Sequence, residues 1–455
     1  LSTQEALKLC DDLVDLGIKQ LTLSGGEPFC RKDWEVIAKK LSSQKVVVNA
    51  ISNGWLIDDG LLSNAREAGL ANIGISLDGP EHVHDFIRKP GAFVKVINAL
   101  NTMKRRSFPS AVVTTVMKQN IDLLPEIYEI LENNGVELWQ LQLGLPMGNL
   151  QKESVISPEQ LASIVDFAQQ FSSKGNLKIY FADSIGYCTK MIADLSNSVF
   201  GESVAWGGCQ AGKASLGILH NGDIVGCTSI RDREFIEGNI REIPLREIWT
   251  RPGAFSWNRD LTRNSLSDFC KVCHYGERCL GGCSNLKLTM TGDFKDNQYC
   301  AYRLNIKKIL DKIHEIEDVN VLLNRAYKSQ SLEIYEVAER CLEKVLSIEP
   351  NNLTALKLLG YIWFKLGDFN KSLEINYRAV AINPKDAYIQ KGLGVSLAKC
   401  GHVKEGIEAL EKAISLTTED FMDPYYDLAV ILYENDKFQE AISVLQKGSE
   451  VSETF

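Results

Sequence analysis

The sequence contains no apolar run approaching the roughly 18 residues that a membrane-crossing helix needs, so no spanning helix is expected. Its start lacks the charged, apolar and small-residue succession of a secretory signal. Positive charge is in short supply. Fifty Lys and Arg stand against 59 Asp and Glu, for a net charge of −9. No wide positive field can form, which argues against nucleic acid as the main partner. Cysteine is sparse over most of the chain. Of 12 cysteines, seven fall between Cys209 and Cys300 and only five elsewhere, a concentration that even scatter would not give. A disulfide framework belongs to small secreted chains. The expected use of these thiols is therefore metal or cluster ligation in a reducing cytoplasm.

What is present is a folded composition, 45% hydrophobic and 24% charged over 455 residues. At about 150 residues per domain, three domains are expected. Residues 1–195 alternate short β-like runs (Leu21–Ser24, Val46–Ile51, Ile73–Leu77, Ala111–Val116, Leu138–Leu143) with helix-like stretches such as Thr3–Leu16, Asp58–Ala68 and Ala92–Lys104. This alternation predicts an α/β domain with a parallel sheet, and five repeats favour a partial TIM-like barrel. Residues 205–305 are rich in Gly and Cys and read as a metal-stapled domain.

Residues 319–455 repeat. Ala326, Gly360, Gly394 and Ala429 step by 34, 34 and 35, as do Ala338, Ser372, Gly406 and Ala441, and Pro350 and Pro384 lie 34 apart. This is the pattern of an all-α tetratricopeptide repeat solenoid, with small residues where paired helices meet. A plain helical bundle is the competing reading.

Three polar, glycine-bearing turns follow successive strands: Ser24-Gly25-Gly26-Glu27-Pro28, Ser52-Asn53-Gly54 and Ser76-Leu77-Asp78-Gly79. In α/β barrels that end of the sheet binds ligands. Glu27, Asn53, Ser76 and Asp78 offer acceptors and donors suited to a polar, zwitterionic ligand. Ordinary βα turns also favour these residue types, but three in register point to one site.

These turns resemble the core of radical S-adenosylmethionine (AdoMet) enzymes. The resemblance implies that Gly25, Gly26, Glu27 and Pro28 hold the amino group of the methionine moiety. It further implies that Ser76, Asp78 and Asn53 meet the ribose and carboxylate. His84-Asp85-Phe86-Ile87-Arg88 has the same look, although His84 serves equally well as a hydrogen-bonded structural residue. One departure stands out. The family's Cys-x3-Cys-x2-Cys loop precedes the Gly-Gly-Glu-Pro turn by several tens of residues, whereas only 24 residues precede Gly25 here. The one cysteine among them, Cys10, sits in an apolar-periodic helix and reads as a small core residue. Cys30 stands alone. The chain begins at Leu1 and reads as starting part-way into a domain, so truncation is the expected explanation.

The spacing Cys209, Cys227, then Cys270-x2-Cys273-x5-Cys279-x3-Cys283-x16-Cys300 suits two four-ligand thiolate sites with one position over. Chemistry alone leaves a pair of zinc sites open. The order and gaps resemble the SPASM domain of many radical AdoMet enzymes, which implies two auxiliary 4Fe–4S clusters. By residue order the resemblance gives Cys270, Cys273, Cys279 and Cys300 to one cluster, and Cys209, Cys227 and Cys283 to the other. Ser215 stands near where some members carry an extra cysteine, which leaves that second cluster an open or non-cysteine ligand. In the related anaerobic sulfatase maturases an Asp follows the cysteine matching Cys227. Thr228 occupies that place here, which lowers the expectation of formylglycine formation. Asp223 and Asp232 are nearby acids with no assigned role.

The expected function is a radical AdoMet enzyme that modifies a peptide or protein docked by the repeats. Its implied cofactors are AdoMet, two auxiliary 4Fe–4S clusters and a third in the full-length parent. A flavodoxin or ferredoxin would be the electron donor. The competing readings are a non-catalytic cluster scaffold, a zinc-stapled adaptor and a sulfatase-maturase-like oxidase.

Overall fold

The computed structural model describes residues 1–182, 185, 206–418 and 420–451. The expected domain edges at 195 and 205 lie outside the described residues. The chain divides into two compact units. The first comprises Leu1–Lys271 and Tyr275–Leu304, and the second Val272–His274 and Asn305–Phe455.

The first unit is built on a six-stranded parallel sheet whose strands pair in sequence order. These are β1 (Gln20–Leu23), β2 (Val47–Ser52), β3 (Leu70–Ser76), β4 (Ser110–Val116), β5 (Leu138–Leu143) and β6 (Lys178–Phe181). Sequential order without reversal is the order of a β/α barrel, whereas a doubly wound sheet reverses part-way. Five strands match the sequence reading to within a few residues. The sixth, Lys-Ile-Tyr-Phe, is too short a run for periodicity to separate from a loop.

One face of the sheet is buried under helices. Val48, Ala50, Ile73, Ile75, Val112, Trp139, Leu141 and Ile179 are each 1% exposed or less and lie in a single apolar core. Side chains alternate along a strand, so the intervening residues form the opposite face.

The first helix, Thr3–Leu16, shows why this unit extends past the sheet. Its start is a reciprocal capping box: Glu5 N–H donates to Ser2 Oγ, and Ser2 N–H donates to the Glu5 carboxylate. Gly17 ends it with a φ of +94°, a conformation that costs glycine little. Ala6 and Cys10 join the main core. Leu9 and Leu13 join a second cluster with Ile224, Leu245, Ile248 and Phe255. One helix thus covers both the sheet and the Cys-rich segment, which accordingly has an apolar core of its own. Cys10 is 2% exposed, as its helical phase predicts, and burial pushes its thiol up to about 11. Beyond it, β7 (Gly217–Ile218), β8 (Asp223–Val225) and β9 (Ile236–Asn239) form a small antiparallel sheet.

The second unit holds four successive helical hairpins. Their first helices start at Val319, Leu353, Ala387 and Asp423, and their second at Tyr335, Phe369, Val403 and Phe438. The small residues of the repeat sit where the helices meet. A Cβ built on Gly394 would lie 2.7 Å from Leu410 Cγ and 2.9 Å from Gly406 O. Ser372 Oγ donates to Gly360 O at 2.8 Å. Among the described residues, no helix is long and apolar enough to cross a membrane.

Candidate active site and thiol-rich region

The turn after β1 places Glu27 as the cap of a short 3-10 helix, Pro28–Cys30, with Pro28 buried at its first position. Its carboxylate is held from three sides. Ser52 Oγ donates to Oε1 at 3.0 Å and lies 3.2 Å from Oε2. Asn53 N–H donates to Oε2 at 2.9 Å, and Phe29 N–H to Oε1 at 3.4 Å. Ser52 is itself 2% exposed and accepts from Gly54 N–H. The first two turns thus meet at one carboxylate, oriented before any ligand arrives. Gly25 has a φ of +125°, and a Cβ added to Gly25 or Gly26 would meet nothing within 4 Å. This open, side-chain-free strip beside a fixed anion fits the ammonium end of AdoMet.

Asn53 is exposed, and its Oδ1 accepts from Trp55 N–H at 2.9 Å, which closes its own turn. Ser76 is half-buried on the face opposite the helices. Its pairing register aligns Ser76 with Val113, Val113 with Gln140, and Gln140 with Tyr180, so these four form one row across β3 to β6. One row above, Gln142 donates to Thr115 Oγ1 at 3.0 Å. Sequence reasoning missed Gln140, Gln142 and Tyr180, because only the register brings them beside Ser76.

Asp78 departs from the sequence reading. It has no exposed surface. Oδ1 accepts from Thr115 N–H at 2.9 Å and Oδ2 from Arg88 Nε at 2.7 Å. Its carboxylate therefore ties the end of β3 to β4 and fixes Arg88, whose side chain is 40% exposed. His84 resolves to the structural role. It is 1% exposed, its Nδ1 accepts from Asp78 N–H at 3.0 Å, and burial lowers its pKa. Arg88 is the residue of this motif that keeps an exposed polar end.

In the Cys-rich segment, Cys209, Cys227, Cys270, Cys273, Cys279, Cys283 and Cys300 form no disulfide. Two buried polar side chains arrange the backbone around them. Asn258 donates to Cys209 O at 2.9 Å and Ala211 O at 2.7 Å, and its Oδ1 accepts from Ser284 Oγ at 3.1 Å. This stitches the Cys209 loop to the turn that carries Cys283. Asp296 accepts from Cys270 N–H at 3.4 Å and from Arg303 at 2.6 Å, which ties Cys270 to the start of the helix after Cys300. Ser229 N–H donates to Cys227 Sγ at 3.4 Å.

Burial pushes the Cys270 thiol up to about 12, and the neighbouring Asp296 and Cys300 add to the effect. Burial likewise raises Cys227, with a contribution from Cys209. Among the described residues no three His, Cys, Asp or Glu are gathered closely enough for a single metal ion. A 4Fe–4S cluster gives each thiolate its own iron, so its ligands stand farther apart than those around one ion. Of the nearby acids, Asp223 accepts from Asn221 and Asn239 and shapes the β8–β9 corner.

Residues 1–131 match the family model of the radical SAM superfamily, and residues 209–274 that of SPASM, an iron-sulfur cluster-binding domain. The AdoMet-dependent heme synthase of Methanosarcina barkeri (strain Fusaro / DSM 804) is 29% identical over 313 residues, covering 67% of this chain and 88% of that protein. The PqqA peptide cyclase of Granulibacter bethesdensis (strain ATCC BAA-1260 / CGDNIH1) is 25% identical over 305 residues, covering 64% of this chain and 76% of that one. The fold is similar to that of native anSMEcpe with bound AdoMet, with a TM-score of 0.53 and 16% identity over 69% of this chain and 88% of that one. Residues 1–131 are thus similar to a radical SAM core and residues 209–274 to a SPASM domain, domain types that imply AdoMet for the first and 4Fe–4S clusters for both.

Proposed function

We propose that this chain, in which a radical SAM core precedes a SPASM domain, is part of an enzyme that modifies a peptide or protein substrate. When bound, the core cluster and AdoMet supply reductive cleavage to methionine and a 5′-deoxyadenosyl radical, which takes a hydrogen atom from the substrate. Glu27 would hold the methionine ammonium, with Ser52 and Asn53 N–H keeping its carboxylate aimed and Gly25 and Gly26 leaving room. Ser76 and the row through Gln140 and Tyr180 offer polar contacts along the face opposite the helices. Asp78 acts through Arg88 and β4. The seven cysteines from Cys209 to Cys300 serve the auxiliary clusters, and a flavodoxin or ferredoxin supplies electrons. The Cys-x3-Cys-x2-Cys set does not occur among these 455 residues. They are therefore expected to yield no 5′-deoxyadenosine above a protein-free control.

The observation that carries the peptide reading is the face of the hairpins, which we read as tetratricopeptide repeats. Their first helices carry Tyr327, Lys357, Tyr361, Tyr388 and Lys391. Lys357 and Lys391 lie 5.1 Å and 5.5 Å from the centre of the Tyr388 ring. The two ammonium groups already pair with Asp386, Asp423 and Asp427, so it is the rings that suit a partner, an extended peptide that presents apolar side chains. The likeness to the heme synthase favours a second reading, an iron-porphyrin substrate. A peptide array probed with the full chain separates the two. Peptides bound by the wild type and lost in the Tyr361→Ala/Tyr388→Ala variant support the first. An array without binders, with a saturable Soret shift on adding iron coproporphyrin, replaces it with the second.

A further inference from the structure

Lys287 is the one lysine or arginine among the described residues that is almost wholly buried, at 1% exposure. It lies in the helix Ser284–Thr291, one turn after Cys283, and its backbone N–H donates to Cys283 O. Its Nζ donates to Leu280 O at 2.6 Å. No carboxylate among the described residues lies within ion-pair distance of it. Burial lowers its pKa, and the charges that oppose this most are those of Cys270, Cys209, Cys279 and Cys283.

The backbone around it is bent to fit. Leu280, Gly281 and Gly282 all take positive φ, at 51°, 75° and 82°. A Cβ on Gly281 would lie 3.1 Å from Lys287 Cδ and 3.2 Å from its Nζ. A leucine in the left-handed region is a strained choice, and this one turns its carbonyl onto the ammonium. A buried ammonium held by a single carbonyl costs several kcal/mol unless an anion completes it. The turn that closes over it, Leu280–Gly282, lies between Cys279 and Cys283, so the ligands of a cluster flank the ammonium on both sides along the chain. A 4Fe–4S cluster with its thiolates supplies negative charge there, and one more electron on the cluster adds to it.

We infer that Lys287 is the internal counter-charge of the auxiliary clusters and holds their reduced state more favourable than it would otherwise be. The inference rests on the cluster reading above. It makes Lys287 a tuning residue that need not touch substrate or AdoMet. A fixed positive charge beside a redox centre stabilises whichever state is more negative, so removing it must lower the potential.

The test uses the full chain, reconstituted anaerobically with iron and sulfide, as wild type, Lys287→Met and Lys287→Arg. Each is reduced stepwise by dithionite and followed by electron paramagnetic resonance. Lys287→Met is expected to retain the wild-type iron content while at least one auxiliary midpoint moves negative. The expected change is about tenfold in the reduced-to-oxidised ratio at fixed potential, which is about 59 mV for one electron. Lys287→Arg should stay within about threefold of wild type. Full iron content with an unmoved midpoint in Lys287→Met overturns the inference and leaves the cluster reading intact. A wild type that takes up no iron overturns the cluster reading itself. If Lys287→Met fails to load, thermal unfolding of the metal-free proteins decides. A metal-free variant at least as stable as metal-free wild type supports a counter-charge, and a less stable one shows a packing role and overturns the inference.

Discussion

Replacing Asp78 by Ala should destabilise the first unit by about 2–4 kcal/mol. The figure follows from what the carboxylate holds. Thr115 N–H, 2.9 Å from Oδ1, would be left without its acceptor in a partly buried position, at about 1–3 kcal/mol. The pair with Arg88 adds about 1 kcal/mol, because the arginine side chain is 40% exposed and water screens the interaction. Asp78→Asn keeps an oxygen for Thr115 but turns an amide donor toward Arg88, so about half the loss is expected. Trp139 is a suitable reporter. It is fully buried, and its indole N–H donates to Thr114 Oγ1, which in turn donates to Leu77 O beside Asp78. In urea unfolding followed by its fluorescence, Asp78→Ala should lower the midpoint by about 1 M. A midpoint within about 0.2 M of wild type, or a larger loss in Asp78→Asn than in Asp78→Ala, would refute this account of the carboxylate.

Three further outcomes follow from the structure. Glu27→Gln should weaken AdoMet binding to the reconstituted protein by about tenfold or more in equilibrium dialysis, since it removes the anion that Ser52 and Asn53 orient; unchanged binding would place the ammonium elsewhere. Gly394→Ala should cost about 1–3 kcal/mol in the helical unit, seen as earlier loss of helical circular dichroism, because its methyl has nowhere to go between Leu410 and Gly406. The hydrogen bond and ion pair with Arg241 lower the Glu5 pKa from 4.5 to about 2. Its contribution is therefore fully present above about pH 4.5 and lost as pH falls through about 2. The difference in unfolding midpoint between wild type and Glu5→Gln should shrink over that window, and a constant difference would show that charge is not its source.

The elements were legible where local pattern carries them. Thr3–Leu16 has its cap, its apolar stripe and its closing glycine within 16 residues, and the helix begins and ends where the sequence places it. The hairpins are legible for the same reason, since each repeat shows its small contact residues at a fixed step. The sheet site was legible in part. Glu27, Ser52 and Asn53 lie in turns that carry their own signal, and the structure brings them together. The partners of Asp78 were not legible, because a turn aspartate looks the same in sequence whether it faces solvent or an arginine ten residues on. Gln140 and Tyr180 carry no motif at all.

Taken alone, the sequence determined the α/β alternation, the thiol cluster and the repeat, because each rests on spacing between residues along the chain. Tertiary structure decided which face of each strand met the helices and which carboxylate stayed available. It also decided that a lysine four residues past Cys283 would be buried against the turn between Cys279 and Cys283. Burial and charge pairing depend on what distant segments place around a group, and no local pattern records that.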